Sequence, residues 1–179
     1  MSNTISNHLL PGEKIVWTGS PGTGLILRPV EIFLIPFSLF WGGFALFWNI
    51  QVWTTDAPLE FKLFGIPFLV MGVYVIVGRF LVDIAVRRSI TYAVTDQRIL
   101  ISRSGWSSSI KSLDLARLPA LELQEKTNGT GSIRFGAAQS FFVNNGFGTW
   151  SPAFDATPQF QQIENARSVY QLIQRTTSK

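Results

Sequence analysis

The sequence predicts a membrane α + β protein: a two-helix transmembrane hairpin joined to an antiparallel β-barrel or sandwich with a C-terminal capping helix. Three observations carry that prediction. Charged residues make up 15% of the 179 positions, against about 25% in an ordinary soluble domain, and the deficit is concentrated in two stretches of the first half. Past residue 88 the chain breaks into short β-branched runs separated by turn residues. Near the C-terminus, apolar residues recur at helical spacing.

Composition narrows the chemistry. The absence of cysteine removes disulfides, thiolate metal sites and cysteine nucleophiles together. The single histidine, His8, lies in a polar N-terminal tail. No metal site built on imidazoles is expected, and no Ser-His-Asp triad unless His8 serves in it. The net charge is +4, and from Arg87 onward eleven Lys/Arg stand against six Asp/Glu. The positive surplus therefore belongs to the downstream part.

Residues 1–29 read as a cytoplasmic N-terminal segment with one short strand, Glu13-Lys14-Ile15-Val16-Trp17-Thr18-Gly19. If that strand joins the downstream sheet, the hairpin is an insertion into the domain. Residues 30–86 read as the transmembrane hairpin, with helices at about 31–53 and 63–83. No charge occurs between Ile32 and Thr55, and only Arg79 occurs between Leu63 and Val82. About 20 helical residues rise roughly 30 Å, the thickness of a hydrocarbon core. A soluble helix keeps a polar stripe for water, but Ser38 is the only polar residue in 32–48 and Tyr74 the only one in 63–78. No wet face can be drawn on either.

Details inside these stretches agree. Pro36 and Pro67 each fall about one turn into a helix, where a missing N–H is tolerated. Gly65 and Gly72 share a face and allow close approach of the first helix. Trp48 and Trp53 suit an interface, while Trp41 falls mid-span and is expected to pack against the second helix. Arg28, Arg79, Arg87 and Arg88 flank one end of the hairpin, whereas the turn carries Asp56, Glu60 and Lys62. The positive-inside rule places both termini in the cytoplasm. Arg79 is expected to extend its guanidinium to the inner interface. The first apolar stretch lacks a small-residue cleavage pattern and reads as a retained anchor.

Residues 87–179 read as the cytoplasmic domain. Strands are expected at 89–94 and 98–102 around a Thr95-Asp96-Gln97 turn, then at 110–115 and 121–125. The Asn128-Gly129-Thr130-Gly131 turn leads to Ile133, Phe135 and 141–143. Spacing near ten residues per strand fits a compact barrel or sandwich. Thr157-Pro158 looks like an N-cap followed by proline at the first helical position. Phe160, Ile163, Ala166, Val169/Tyr170 and Ile173 then form one stripe on a helix of about 158–176.

Several of these pieces resemble bacterial membrane proteins with a pleckstrin-homology-like domain. They are Leu10-Pro11-Gly12-Glu13, Val16-Trp17-Thr18-Gly19, the helical hairpin, and Tyr92-Ala93-Val94-Thr95-Asp96-Gln97-Arg98. To these add Gly129-Thr130-Gly131-Ser132-Ile133 and the closing helix around Ile163–Tyr170. The resemblance implies a curved β-barrel of about seven strands capped by one helix, in a bacterial inner membrane. It implies no common activity. Eukaryotic members often bind phosphoinositides through a basic first loop; here Thr95-Asp96-Gln97 is short and not basic, so that property does not carry over. Tyr92, Thr95, Asp96, Arg98, Gly129 and Gly131 read as a structural motif, with Asp96 and Thr95 suited to a tight turn. Tyr92 and Arg98 are expected to face each other across the hairpin.

Three kinds of function bear on these residues. The first is a membrane-anchored adaptor or accessory protein that docks a protein partner, or a second copy of itself. Its obvious surface is the 144–150 loop, with Phe147 and Trp150 as anchors unless both rings pack under the C-terminal helix. The second is recognition of anionic lipid headgroups by Arg87, Arg88, Arg98, Arg103 and Lys111, unless these are ordinary positive-inside bias. The third is an enzyme, which is not expected. Asp155/Glu164 and Glu122/Glu125 lack a positioned partner, and neither glycine pair has P-loop spacing. No cofactor, metal or nucleic-acid partner is expected.

Overall fold

The computed structural model describes residues 3–6, 8–105, 108–136 and 157–177. In chain order its elements are α1 (Asn3–Ser6), β1 (Ile15–Gly19), α2 (Glu31–Thr54) and α3 (Leu59–Arg88). These precede β2 (Ile90–Thr95), β3 (Arg98–Arg103) and β4 (Ser109–Asp114). A single 3-10 turn, Leu115–Arg117, leads to β5 (Leu121–Glu125), β6 (Gly131–Phe135), β7 (Gln159–Ile163) and α4 (Ala166–Thr177).

By length and composition α2 and α3 are both able to cross a membrane. They pack as an antiparallel pair that is inside out by the standards of a soluble protein. The side of α2 turned inward carries Glu31, Ser38, Gly42, Ala45 and Asn49. Large apolar side chains point outward, with Phe33 76% and Phe40 80% exposed. The glycines let the two backbones touch: a Cβ built on Gly72 would stand 3.2 Å from the Gly42 Cα. Asn49 bridges the helices, its Nδ2 donating to Ala45 O at 2.8 Å and to Gly65 O at 2.9 Å. Trp41 packs on Phe68 of α3, with ring centroids 6.4 Å apart.

The second helix is longer than 63–83. It begins four residues earlier and runs on to Arg88, which puts Pro67 two turns inside rather than one. A π turn over Tyr74–Gly78 falls where its inward stripe changes from glycine to the charged residues Arg79, Asp83 and Arg87.

All strand pairs among the described residues are antiparallel. One sheet has the order β1-β2-β3-β4 and the other β5-β6-β7. Among the described residues the two are not joined by strand pairing, so these strands form a pair of sheets rather than a closed barrel. Because β1 pairs with β2, the helical pair is inserted between neighbouring strands of one sheet. The core lies between the sheets, around Phe160. Its ring meets Tyr92 at 4.5 Å, Phe135 at 5.0 Å and Trp17 at 5.5 Å. Ala166, Val169 and Ile173 of α4 close one end of this core. Ile5 and Leu9 cover Ala93 and Leu100 on the other face of the larger sheet.

The C-terminal helix starts at Ala166, not near 158, and Pro158 leads into a strand instead of a first helical turn. Three residues of β6 (Gly131 to Ile133) lie opposite four of β7 (Ile163 back to Phe160), and Gln162 takes a φ of 49°. That bulge brings Phe160 and Ile163 to the same side although they are three apart, which imitates helical periodicity. Asn165, at φ 50°, then turns the chain; asparagine enters this region more readily than most residues. Strand β5 has the bounds read from its alternation. The expected strand at 141–143 lies outside the described residues.

Gly131 marks the tightest approach in the smaller sheet. A Cβ there would stand 2.6 Å from the Gln124 carbonyl oxygen and 2.8 Å from the Ala166 Cβ. Gly131→Ala is expected to lower stability by about 1–3 kcal/mol. Gly43→Ala, where a Cβ meets open space, should stay within about 1 kcal/mol of the parent, on the stabilising side. Thermal melting of the full chain in detergent measures both; equal melting would show that β6 and α4 are not this close.

Candidate functional site

The motif around the β2–β3 turn fastens the N-terminal segment to the sheet. Thr95 Oγ1 accepts the N–H groups of Gln97 (3.2 Å) and Arg98 (2.9 Å) and lies 2.7 Å from Glu13 Oε1, to which its hydroxyl donates. Arg98 holds the same carboxylate with two prongs, Nε and Nη2 each at 2.8 Å, and Nη2 also reaches His8 O. Asp96 Oδ1 accepts the Lys14 N–H at 3.0 Å. The Arg98 hydrogen bonds hold Glu13 down at about 2, helped by the Leu10 N–H and Thr95 against the opposing cost of burial. The same contact raises Arg98 further.

Tyr92 does something different. It pairs with Ile101 on the inner face of the sheet, whereas Arg98 projects from the outer face. The two therefore do not meet. Tyr92 Oη accepts the Gln161 N–H of β7 at 3.1 Å, tying the two sheets together. Burial pushes its hydroxyl up to about 12. Gly129, at φ +78°, makes the β5–β6 turn and offers its carbonyl to the Ala166 N–H.

Where the helical pair meets the domain, five charges cluster. Glu31, at the start of α2, pairs with Arg79 of α3 at 2.7 Å and with Arg28 at 3.3 Å. One turn further along α3, Asp83 pairs with Arg87 at 2.8 Å. The Arg87 guanidinium also donates to the carbonyls of Gly22 and Gly24, the stretch leading from β1 to α2. Arg79 is 1% and Arg87 3% exposed. Arg79 thus turns inward to Glu31, with its guanidinium carbon 4.4 Å from the Phe80 ring centre, instead of extending outward. Glu31 escapes a sequence reading because it sits one residue outside the uncharged run.

The five basic residues proposed for headgroups are not one surface. Arg87 is buried in the junction, and Arg98 is committed to Glu13. Arg88 is exposed on the last turn of α3. Arg103 and Lys111 line, with Arg87, a cleft of about 100 Å³ between the sheets. Phe147 and Trp150 lie outside the described residues. Among the described residues no group of three His, Asp or Glu is placed to hold a metal ion. Compared with family models, curated proteins and solved structures, the chain matches none.

Two outcomes follow from these contacts. A carboxylate held below its ordinary value stabilises the fold above that value, and its contribution is lost as pH falls from about 4.5 toward about 2. Glu13→Gln should cost about 3 kcal/mol at neutral pH and lose less stability than the parent across that window, in melting curves taken at each pH. For the junction, Arg79→Leu or Glu31→Leu alone should each cost about 3–5 kcal/mol, because each strands a buried charge. The double replacement should cost less than the worse single one, and a fully additive double would deny the pairing.

Proposed function

We propose that the protein is a membrane-anchored adaptor or accessory protein. In this reading α2 and α3 span a bacterial inner membrane, both termini lie in the cytoplasm, and a pleckstrin-homology-like domain is held at the inner face to dock a protein partner. The observation that carries the reading is the inside-out helical pair. Its outer surface is nearly all large apolar side chains, while its glycines, Asn49 and charges face inward. Lipid is the solvent that such a surface suits.

The distribution of charge supports the orientation. Arg28, Arg79, Arg87 and Arg88 gather at the domain end of the pair, and Asp56 and Glu60 at the other. The junction supports the role. The Arg87 contacts to Gly22 and Gly24 clamp the first strand's exit to the last turn of α3, so the domain has a set attitude toward the membrane. A docking platform benefits from that attitude. The four-plus-three sheets with a helix closing one end are compatible with the pleckstrin-homology-like type.

The absence of native cysteine makes topology directly testable. Asp56→Cys should react with a membrane-impermeant maleimide in intact spheroplasts, and Ser104→Cys only after lysis. The chain should resist alkaline carbonate extraction, and mild-detergent purification should bring down a stoichiometric protein. Extraction by carbonate, or labelling of Ser104→Cys from outside, would contradict the anchoring; purification of the chain alone would contradict the adaptor role.

A further inference from the structure

We propose that residues 24–30, between the first strand and α2, lie against an anionic lipid surface, with Leu25 and Leu27 set into the boundary between acyl chains and headgroups. The inference rests on the reading of α2 and α3 as membrane spans. It goes beyond that reading by bringing a part of the chain outside the spans down onto the bilayer.

The segment is pinned at both ends. At one end the Arg87 guanidinium donates to the carbonyls of Gly22 and Gly24. At the other the Glu31 N–H donates to Arg28 O, and the Glu31 carboxylate pairs with Arg79. From Arg79 to Arg87 the helix α3 rises about 12 Å, so residues 25–27 lie alongside it between those two levels. The run from Leu63 to Val82, which holds Arg79 as its single charge, has about the 20 residues that fill a hydrocarbon core. The edge of that core therefore falls between Arg79 and Arg87, at the level of the segment.

Exposure alternates along the segment. Leu25 is 58% and Leu27 55% exposed, while Ile26 and Arg28 are half-buried. Because buried charges hold both ends, the outward direction of the leucines is built into the junction. They extend past Glu31 the apolar surface that α2 opens with Ile32 and Phe33. Helix α3 marks the same level. Leu81, Ala85 and Arg88 are exposed and share one face at i, i+4 and i+7, a face that turns from apolar to basic toward the domain.

Charge at this level selects the lipid. Arg28, Arg79, Arg87 and Arg88 stand against Glu31 and Asp83, and both carboxylates are buried in ion pairs. Arg88 makes no hydrogen bond or ion pair among the described residues. Outward leucines beside a basic surplus suit the boundary of acyl chains and acidic headgroups.

The test uses the full chain in vesicles of phosphatidylethanolamine and phosphatidylglycerol, with one NBD fluorophore on Leu25→Cys, Leu27→Cys, Phe40→Cys or Gln97→Cys. Gln97 lies in the β2–β3 turn, at the far end of the strand that leaves α3. Quenching is read with iodide on both sides of the bilayer, and with phospholipids whose nitroxide lies near the headgroup or near the chain end. Labels at 25 and 27 should be quenched most by the shallow nitroxide, at Phe40 by the deep one, and at Gln97 by iodide. A shallow nitroxide on phosphatidylglycerol should quench the label at 27 about twofold or more better than one on phosphatidylcholine. Arg88→Gln should bring that ratio toward one. Iodide quenching at 25 and 27 overturns the contact, and so does shielding from every quencher, which shows protein covering the leucines. Equal quenching by the two lipids, or a ratio that Arg88→Gln leaves unchanged, overturns the anionic preference. Lipid quenching at Phe40 with iodide access at 25 and 27 defeats the contact alone; iodide access at Phe40 defeats the spans and the contact together.

Discussion

Arg79 and Glu31 lie 2.7 Å apart, both nearly inaccessible, at one end of a helical pair whose outside is otherwise apolar. An unpaired charge buried there costs several kcal/mol, and the pair recovers that cost only when its geometry is held. Holding it requires that the start of α2 and the last third of α3 stay in register. The glycine contact of Gly42 with Gly72 and the Asn49 bridge to Gly65 keep that register along the rest of the pair. The charged end and the small-residue stripe are therefore one constraint, seen at different depths.

The same constraint reaches into the domain. Arg87 sits two turns beyond Arg79 on the same side of α3, and its hold on Gly22 and Gly24 fixes the chain as it leaves β1. Strand β1 is in turn fixed by pairing with β2 and by the Glu13–Arg98 contact at its other end. An insertion between two neighbouring strands of a sheet leaves both ends of the helical pair anchored. The segment between Gly24 and Glu31 is held by the same contacts, so the level of Leu25 and Leu27 along the helices is set with them.

Much of this architecture is legible in the sequence where pattern and turn chemistry agree. The alternation of Leu121–Glu125 and the Asp96-Gln97 turn lie where they are read. The long uncharged runs announce two long apolar helices. Misreadings occur where local spacing is ambiguous or the partner is remote. Phe160 and Ile163 stand three apart, a helical step that a bulged strand reproduces. Arg98 looks like a surface cation because Glu13 is 85 residues away. Arg79 looks like an interfacial arginine because Glu31 lies outside the apolar run on the other helix. Arg103 and Lys111 were legible as basic residues, but their sharing of an inward face follows only from strand register.

Lipid around the outward face of α2 is what the proposed anchoring requires. Spin labels placed singly at Phe33, Phe40 and Phe47, in the full chain reconstituted in bilayers, report this through relaxation by oxygen against relaxation by a water-soluble nickel chelate. The account predicts that oxygen dominates most strongly at Phe40, with the balance shifting toward the nickel chelate at Phe33 and Phe47. Nickel access at all three positions, or shielding of all three from both reagents, would contradict it.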